Sequence, residues 1–285
     1  MTFSIAASDG TSWGVAVASK FLAVGSAVSA ARAGVGAIAT QSYANLAYRP
    51  QGLAHLEQGL SAQQTLDALI AADELREQRQ AGIVDGQGHA ATFTGDGCHP
   101  WAGGVAGDGY AIQGNILTGP EVVDAMANAW LGSDPAAPLA RRLMTALAAG
   151  DDAGGDRRGR QSAALLVARA DSGYGATSDI HVDLRVDDAV RPVPELNRLL
   201  DLHELLFSKA AAEDLLVVTD EIAREVSGLL TTLGHPPAGP DLPSIELALW
   251  DWAGIENLED RVVPEPKIDP VVLQVLRDKA AAASR

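Results

Sequence analysis

Short runs of small and β-branched residues at 3–8, 13–18 and 34–39 are broken by Gly and Asp, a pattern that predicts strands joined by tight turns. Ser61, followed three residues later by Gln64, forms a capping box ahead of Leu66, Leu69 and Ile70. A helix is therefore expected over 61–72, with another beginning after Pro50. Strand character returns at 80–85, 89–94 and 109–114, with Asp85-Gly86 as a turn between the first two. Pro120 opens a helix over 121–131, and the Ala- and Leu-rich stretch 137–149 predicts a second. Residues 150–160, GDDAGGDRRGR, read as a loop, and strands at 162–169 and 181–186 follow. A long helix then carries Leu196, Leu199, Leu202, Leu205 and Leu206 on its apolar stripe.

Strands grouped before paired helices favour stacked antiparallel sheets flanked by helices over a βαβ alternation. The expected class is α+β, with an α-β-β-α order of four layers. After about residue 210 the texture changes. Helices are expected over 215–233, 245–252 and 271–283, separated by GHPPAGPDLPS and by Pro264, Pro266 and Pro270. The boundary is placed near 209–214, giving a main domain over 1–210 and a small helical domain over 211–285.

Composition narrows the chemistry. Of 285 residues, 47% are hydrophobic but only 5% aromatic, so the core must be built from Ala, Val and Leu, which suits closely layered sheets. The formal charge of -16, from 37 acids against 21 bases, repels polyanions, and neither nucleic acid nor a membrane surface is an expected partner. Cys98 is the sole cysteine, and the six histidines show no ligand spacing, so no metal or other cofactor is expected. The N-terminus lacks a basic and apolar leader, and no stretch reaches the roughly 18 apolar residues of a membrane span. A cytoplasmic location is expected.

Thr2 allows removal of the initiator methionine, which would leave an α-amine and a hydroxyl on one residue. The amine, with a pKa of roughly 7.7–8.0, can act as general base toward that hydroxyl. A small residue at position 2 is common and carries little alone; its place at the head of a predicted strand gives it weight. The second strand ends in Ser19-Lys20, which a hairpin would bring beside Thr2. A lysine there would lower the amine's pKa by like-charge repulsion.

The runs MTFSIAASD, WGVAVASKFLAVGS, ARAGVGAIATQSYAN, YAIQGNILTGPEVV, GGDRRGRQSAALLV and DLRVDD resemble the domain-of-unknown-function family numbered 1028, over about residues 2–209. The resemblance implies the N-terminal-nucleophile (Ntn) hydrolase sandwich of proteasome β-subunits and related acylases, with Thr2 as nucleophile and Ser19 and Lys20 beside it. It puts Arg32 where such relatives keep a basic residue that tunes the amine, here as a fixed positive charge. It also makes TQSYAN, residues 40–45, a source of the oxyanion hole through Gln41 or Asn45, with Asn115 in the GNIL turn as a second candidate. Tyr43 and Asn45 are candidate substrate contacts. For Ser19, Lys20, Gln41 and Asn115 the competing expectation is a strand-end polar group that satisfies backbone.

In GGDRRGRQS, Arg157 or Arg160 could clamp a substrate carboxylate with Asp156 orienting one of them. A structural, salt-bridged loop is the favoured reading there. Asp183, Arg185, Asp187 and Asp188 alternate on a strand, which more often means solvent or cross-strand pairing than metal. Cys98-His99 reads as a small hydrophobe beside a turn rather than a working nucleophile pair. From about 214 the chain resembles a peptidoglycan-binding-like helical module, in which Trp250 and Trp252 anchor a contact or form core. Two functions stand against each other. One is a hydrolase cleaving a C–N bond of a small amide or ureido substrate through an acyl-enzyme on Thr2, as a homodimer or higher homo-oligomer. The other is a non-catalytic module that keeps the sandwich for ligand binding or assembly.

Overall fold

The computed structural model describes residues 2–263 and 266–283. The chain divides into two compact units, Met1–Leu200 and Asp201–Arg285.

The first unit is mixed α+β, with two antiparallel sheets. Strands β1 (Thr2–Ser8), β2 (Ser12–Ser19), β7 (Ala102–Gly107), β8 (Tyr110–Asn115), β9 (Ser162–Arg169) and β10 (Ile180–Val186) form one, in the order β10-β9-β2-β1-β8-β7. Strands β3 (Ser29–Arg32), β4 (Gly36–Ser42), β5 (Arg79–Asp85) and β6 (Ala90–Thr94) form the other, in that order. A short helix α1 (Val24–Val28) joins β2 to β3.

Side-chain alternation separates three apolar layers. Phe3, Ile5 and Ala7 of β1, with Ile112 and Leu165, pack under α4 (Glu121–Gly132) and α5 (Leu139–Asp152) through Met126, Leu143 and Leu147. On the opposite face, Ala6, Val15, Val17 and Ala111 meet Ala37, Ala39 and Val84 of the second sheet. That sheet's far face buries Ile38 and Ile83 against α2 (Tyr48–Glu57) and α3 (Ala62–Ala71) through Leu53, Leu56, Leu66 and Leu69. Alanine and valine dominate where the sheets meet, which explains how a chain poor in aromatic residues fills its core.

Several boundaries differ from expectation for identifiable reasons. The capping box at Ser61 and Gln64 forms and starts α3 as expected. α2, however, begins at Tyr48, before Pro50; proline is tolerated there because first-turn N–H groups need no helical partner. The strand expected over 34–39 starts later, as β4, and a strand not foreseen, β3, precedes it; the two turn through Gly34 at a φ of 71°. β7 was not foreseen, since AGGVAG reads as loop. It lies at the sheet edge on β8, where Gly103 and Gly104 leave no room for a Cβ beside Trp101 and Ile112 O. The loop expected over 150–160 begins later, because α5 continues to Asp152.

The long helix expected after β10 is α6 (Pro192–Phe207). In the second unit, α7 (Asp220–Thr232), α8 (Leu242–Ile255) and α9 (Pro270–Ala283) enclose Val226, Leu230, Leu249, Trp252, Leu273 and Leu276. The helix expected from 215 starts at Asp220, because Thr219 caps it by accepting from Ile222 N; residues 216–217 (β11) pair instead with 267–268 (β12). Trp252 is core, whereas Trp250 is about half exposed. Pro264 lies outside the described residues. Arg261 is buried in this unit and bonds Asp269 at 2.7 Å and the carbonyl of Glu204 at 2.7 Å. Among the described residues no helix is long and apolar enough to cross a membrane.

Candidate active site

β1 is buried along its whole length, on both faces. Its even-numbered residues point at the second sheet, so the polar ones among them, Thr2, Ser4 and Ser8, must find partners inside the protein. The intersheet layer accordingly changes character along its length. It is apolar around Ala6 and Ala111, and polar at the end where β1 begins and β2 and β8 finish.

At that end Thr2 stands between Ser19 and Asn115 in the ladder. Thr2 Oγ1 is 3.1 Å from Ser19 Oγ. The carbonyl of Thr2 accepts from Gln41 Nε2 at 3.2 Å, across the intersheet gap. Thr2 is 4% exposed in the intact chain. The initiator residue lies outside the described residues.

Behind Thr2 sits a buried amide network that the sequence did not reveal as such. Gln41 Nε2 also donates to Gln80 Oε1 at 2.8 Å and to Gln113 O at 3.3 Å, while its Oε1 accepts from Ser4 Oγ at 2.6 Å. Gln113 Nε2 donates to Ser4 Oγ at 2.7 Å. Gln80 Nε2 donates to Gly114 O at 2.7 Å, Gly103 O at 3.3 Å and Thr94 Oγ1 at 2.9 Å. Two of those acceptors are backbone carbonyls, so they fix which end of the Gln80 amide is nitrogen. Gln80 Oε1 must then be an acceptor, and Asn115 Nδ2 donates to it at 2.8 Å. The chain of constraints leaves Asn115 Oδ1 buried with no hydrogen-bond partner among the described residues. The sequence signal was the pairing of polar residues two apart, Thr2 with Ser4 and Gln113 with Asn115, at one end of strands that are otherwise mostly apolar.

The remaining expected residues divide. Ser19 and Asn115 flank Thr2. Gln41 touches it, but its amide nitrogen is engaged by three acceptors, so it anchors Thr2 and offers no donor for an oxyanion. Lys20 follows Ser19; its backbone N–H donates to Asp156 Oδ2 at 2.8 Å, and its ammonium reaches Arg160 O at 3.3 Å. Arg32 does not reach the site. It pairs with Gly36 at the opposite end of β4 from Gln41, roughly 16 Å away at about 3.3 Å per residue, and forms an exposed ion pair with Glu57 at 2.8 Å. Its expected tuning of the Thr2 amine is corrected accordingly: the hairpin turn carries it away.

Asp156 shapes the loop beside Thr2. Besides Lys20 N, its carboxylate holds Arg158 through Nη2 at 2.8 Å and Nε at 3.1 Å, and its backbone bridges Leu117. Arg160 is held by Asp151 at 2.7 Å and is not free to clamp a substrate. Arg157 donates its backbone N–H to Ile116 O at 3.0 Å, next to Asn115. Its side chain is exposed, and among the described residues no carboxylate pairs with it.

Tyr43, two residues beyond Gln41, is about half exposed, with its hydroxyl 3.4 Å from His99 Nε2. Cys98 and His99 lie in a loop and have different partners: the thiol donates to Arg79 O at 3.3 Å, and the imidazole meets the Tyr43 hydroxyl. Asn45 is a loop anchor, donating to Asp73 Oδ2 at 2.8 Å and accepting from Ala47 N at 3.1 Å. Asp73 also receives Arg79 Nε at 2.9 Å, and the guanidinium holds its carboxyl well below the usual carboxylate range. Among the described residues no three His, Cys, Asp or Glu side chains converge as a metal site.

The arrangement supplies a hydroxyl at the head of a central strand, a neighbouring hydroxyl, a buried unpartnered acceptor and an arginine-bearing loop. Comparison with known proteins adds the following. None of the curated proteins matches the chain. A family model described as "Putative peptidoglycan binding domain" matches residues 206–276. The crystal structure of protein SPO2555 from Silicibacter pomeroyi, itself assigned to DUF1028, is 31% identical, covering 71% of this chain and 89% of that one, with a TM-score of 0.64. Anbu, an ancestral beta-subunit from Yersinia bercovieri, is 13% identical over 70% of this chain and 93% of that one, with a TM-score of 0.34. A family model described as "Family of unknown function (DUF1028)" matches residues 2–196, most of the chain, and with the likeness to SPO2555 it shows that this protein belongs to the DUF1028 family.

Proposed function

We propose that the first unit is an Ntn amidohydrolase with a four-layer αββα sandwich. It cleaves a C–N amide or ureido bond of a small, carboxylate-bearing metabolite through an acyl-enzyme on Thr2. The observation that carries this reading is that the Thr2 hydroxyl, 3.1 Å from Ser19 Oγ, belongs to the residue whose register partner on β8, Asn115, has a buried acceptor Oδ1 with no partner among the described residues. An acceptor buried without a donor costs about 1–3 kcal/mol. The α-amine created by removal of residue 1 supplies that donor.

The steps follow from the groups present. The α-amine takes the proton of Oγ1, and Oγ1 bonds to the acyl or carbamoyl carbon. The C–N bond breaks, and the amine leaves with that proton. Water then adds to the ester carbon, losing its proton to the α-amine, and Thr2 is regenerated as the acid departs. Ser19 Oγ orients the Thr2 hydroxyl, Asn115 Oδ1 holds the α-amine, and Arg157 binds the substrate carboxylate. The chain works as a cytoplasmic homodimer or higher oligomer.

The 4% exposure of Thr2 favours a second reading, a non-catalytic module that keeps the fold for ligand binding or assembly. The hydrolase reading requires that processing uncover the hydroxyl as well as free the amine. Turnover of a panel of N-acyl and ureido acids by wild type and Thr2→Ala separates the two. The hydrolase reading expects turnover that Thr2→Ala abolishes. Equal turnover, or none by a processed wild type across the panel, favours the module.

A further inference from the structure

A cavity of about 370 Å³ opens in the first unit at the end of the six-stranded sheet opposite Thr2. The β1–β2 turn, the end of β9, the start of β10 and the start of α5 line it. Ser12, in its wall, lies seven residues along β2 from Ser19, the register partner of Thr2. At about 3.3 Å per residue, roughly 23 Å separates the two places.

Three features of its wall call for a ligand. First, Ser12 is 4% exposed, and its side chain is on the face of β2 from which Ala16 and Ala18 pack beneath α4 and α5. A buried hydroxyl is normally hydrogen-bonded. Among the described residues the one polar contact of Ser12 Oγ is Thr11 Oγ1 at 3.5 Å, beyond the roughly 2.5–3.0 Å of an O–H···O bond. The Thr11 hydroxyl gives its proton elsewhere, to Asp9 Oδ1 at 2.8 Å. Second, Arg169 stands opposite Ser12 in the ladder, on the face that carries Leu165 and Val167. Side chains so opposed are about 5 Å apart at Cβ. No carboxylate pairs with this exposed guanidinium among the described residues, although Asp9 lines the same cavity. Third, the 14-residue helix α5 begins there without a side-chain cap, because its N-cap is Pro138. Arg141 and Arg142 direct their N–H groups to Pro138 O, but among the described residues those of Leu139 and Ala140 have no acceptor.

A hydroxyl, a guanidinium and the positive end of a helix on one cavity suit an oxyanion. His181 also lines the cavity, as the extra residue of a β-bulge between Ile180 and Val182. Burial and the Arg169 guanidinium hold its imidazole below the usual value, so it is neutral at pH 7 and adds no charge. Asp9 limits the charge that can enter. Its Oδ1 is engaged by Thr11 N at 2.9 Å and Ser12 N at 2.7 Å, and a dianion such as phosphate would meet that carboxylate. A carboxylate brings one negative charge and two coplanar oxygens, one for Arg169 and one for Ser12 Oγ. The rest of the wall is largely apolar, with Pro135, Pro138 and Val167 available to a short hydrocarbon body.

We propose that this cavity binds a short-chain carboxylic acid, its carboxylate on Arg169, Ser12 Oγ and the first N–H groups of α5, its alkyl chain against Pro135, Pro138 and Val167. The site is distinct from Thr2, involves no bond-making, and stands whether or not the hydrolase reading does. None of its residues takes part in the chemistry proposed there.

The test is an amide-resolved NMR titration of the full chain with sodium butyrate, at constant ionic strength set by chloride, with sodium acetate and inorganic phosphate as parallel probes. Saturable shifts are expected at residues 11–13, 139–141, 167–169 and 181. Acetate, two methylenes shorter, should bind at least fivefold more weakly, and phosphate more weakly than butyrate. Arg169→Gln, at an exposed position, should weaken butyrate binding at least tenfold. Ser12→Ala, which removes only a hydroxyl, should weaken it about threefold. The proposal is overturned if the shifts at 11–13 and 139–141 do not saturate, or if saturable shifts appear only around residues 19 and 157, near Thr2. It is equally overturned if Arg169→Gln or folded Ser12→Ala binds butyrate as wild type does, or if acetate or phosphate binds as tightly as butyrate.

Discussion

Gly82→Ala tests whether the buried amide network fixes the geometry at Thr2. Gly82 lies on β5, facing β8, and a Cβ there would sit 1.9 Å from Gln113 Oε1 and 2.6 Å from its Cδ. Neither neighbour can yield freely. Gln113 is held by Ser4 Oγ at 2.7 Å and by Thr92 Oγ1 at 3.3 Å, and Ser4 in turn holds Gln41, which grips the Thr2 carbonyl. To restore ordinary contact the amide must move by more than 1 Å, which breaks at least one buried hydrogen bond. An unsatisfied buried group costs about 1–3 kcal/mol and overpacking about 1–3 kcal/mol, so the expected loss is roughly 2–6 kcal/mol. For a unit of this size a loss near 3 kcal/mol lowers the melting temperature by roughly 6–12 °C. The assay is thermal unfolding of the full chain followed by near-ultraviolet circular dichroism, on Gly82→Ala, Gln113→Ala and the double variant. Because Gln113→Ala removes the atoms in conflict, the double variant should be little worse than Gln113→Ala alone. A melting temperature for Gly82→Ala within a degree of wild type, or strictly additive losses in the double variant, would refute the reasoning.

Other consequences are open to measurement. Asn115→Ala should lower kcat by about 10–100-fold with little change in KM, judged against the contributions of acid–base groups; losing an acceptor for the ammonium lowers the amine's pKa, so the acidic limb of the pH–rate profile should shift to lower pH, which a merely structural loss would not produce. Arg157→Gln should raise KM for carboxylate-bearing substrates at least tenfold and leave kcat near wild type, and an unchanged KM would remove Arg157 from substrate binding. Asp73→Asn should destabilise by about 2–4 kcal/mol at pH 7, since it breaks a buried ion pair with Arg79. Because the Asp73 carboxyl is depressed in the folded state, its contribution is complete above the unfolded value of about 3.9 and disappears as pH falls below it; the deficit of the variant in denaturant melts should therefore narrow below about pH 4, and a constant deficit would contradict the pairing. Arg261→Met strands the buried Asp269 and should destabilise the second unit by about 3–5 kcal/mol in hydrogen exchange of α7–α9, with wild-type protection there as the contrary result.

Much of the strand and helix order was legible because periodicity is a local property. The Ser61–Gln64 box and the alternation in β1, β2 and β9 each announce their element within a few residues. β7 was hidden because its glycines answer to neighbours in space, Trp101 and the backbone of Ile112, and not to any local preference. The candidate site was half legible. Thr2, Ser19 and Asn115 come together because antiparallel register fixes them once the strands are known. Arg32 failed because a resemblance could place it near the strand but not choose between the ends of a hairpin. The amide network was missed because a glutamine in a strand usually marks a solvent face; only burial on both faces turns Gln80 and Gln113 inward.

The claim that matters most is that Thr2 begins the working polypeptide. Intact-protein mass spectrometry of the catalytically active fraction, purified from its native host, measures this directly. The account predicts a mass below that of the full sequence by one methionine residue, with activity following that species through fractionation. Full activity in protein that quantitatively retains Met1 would contradict it.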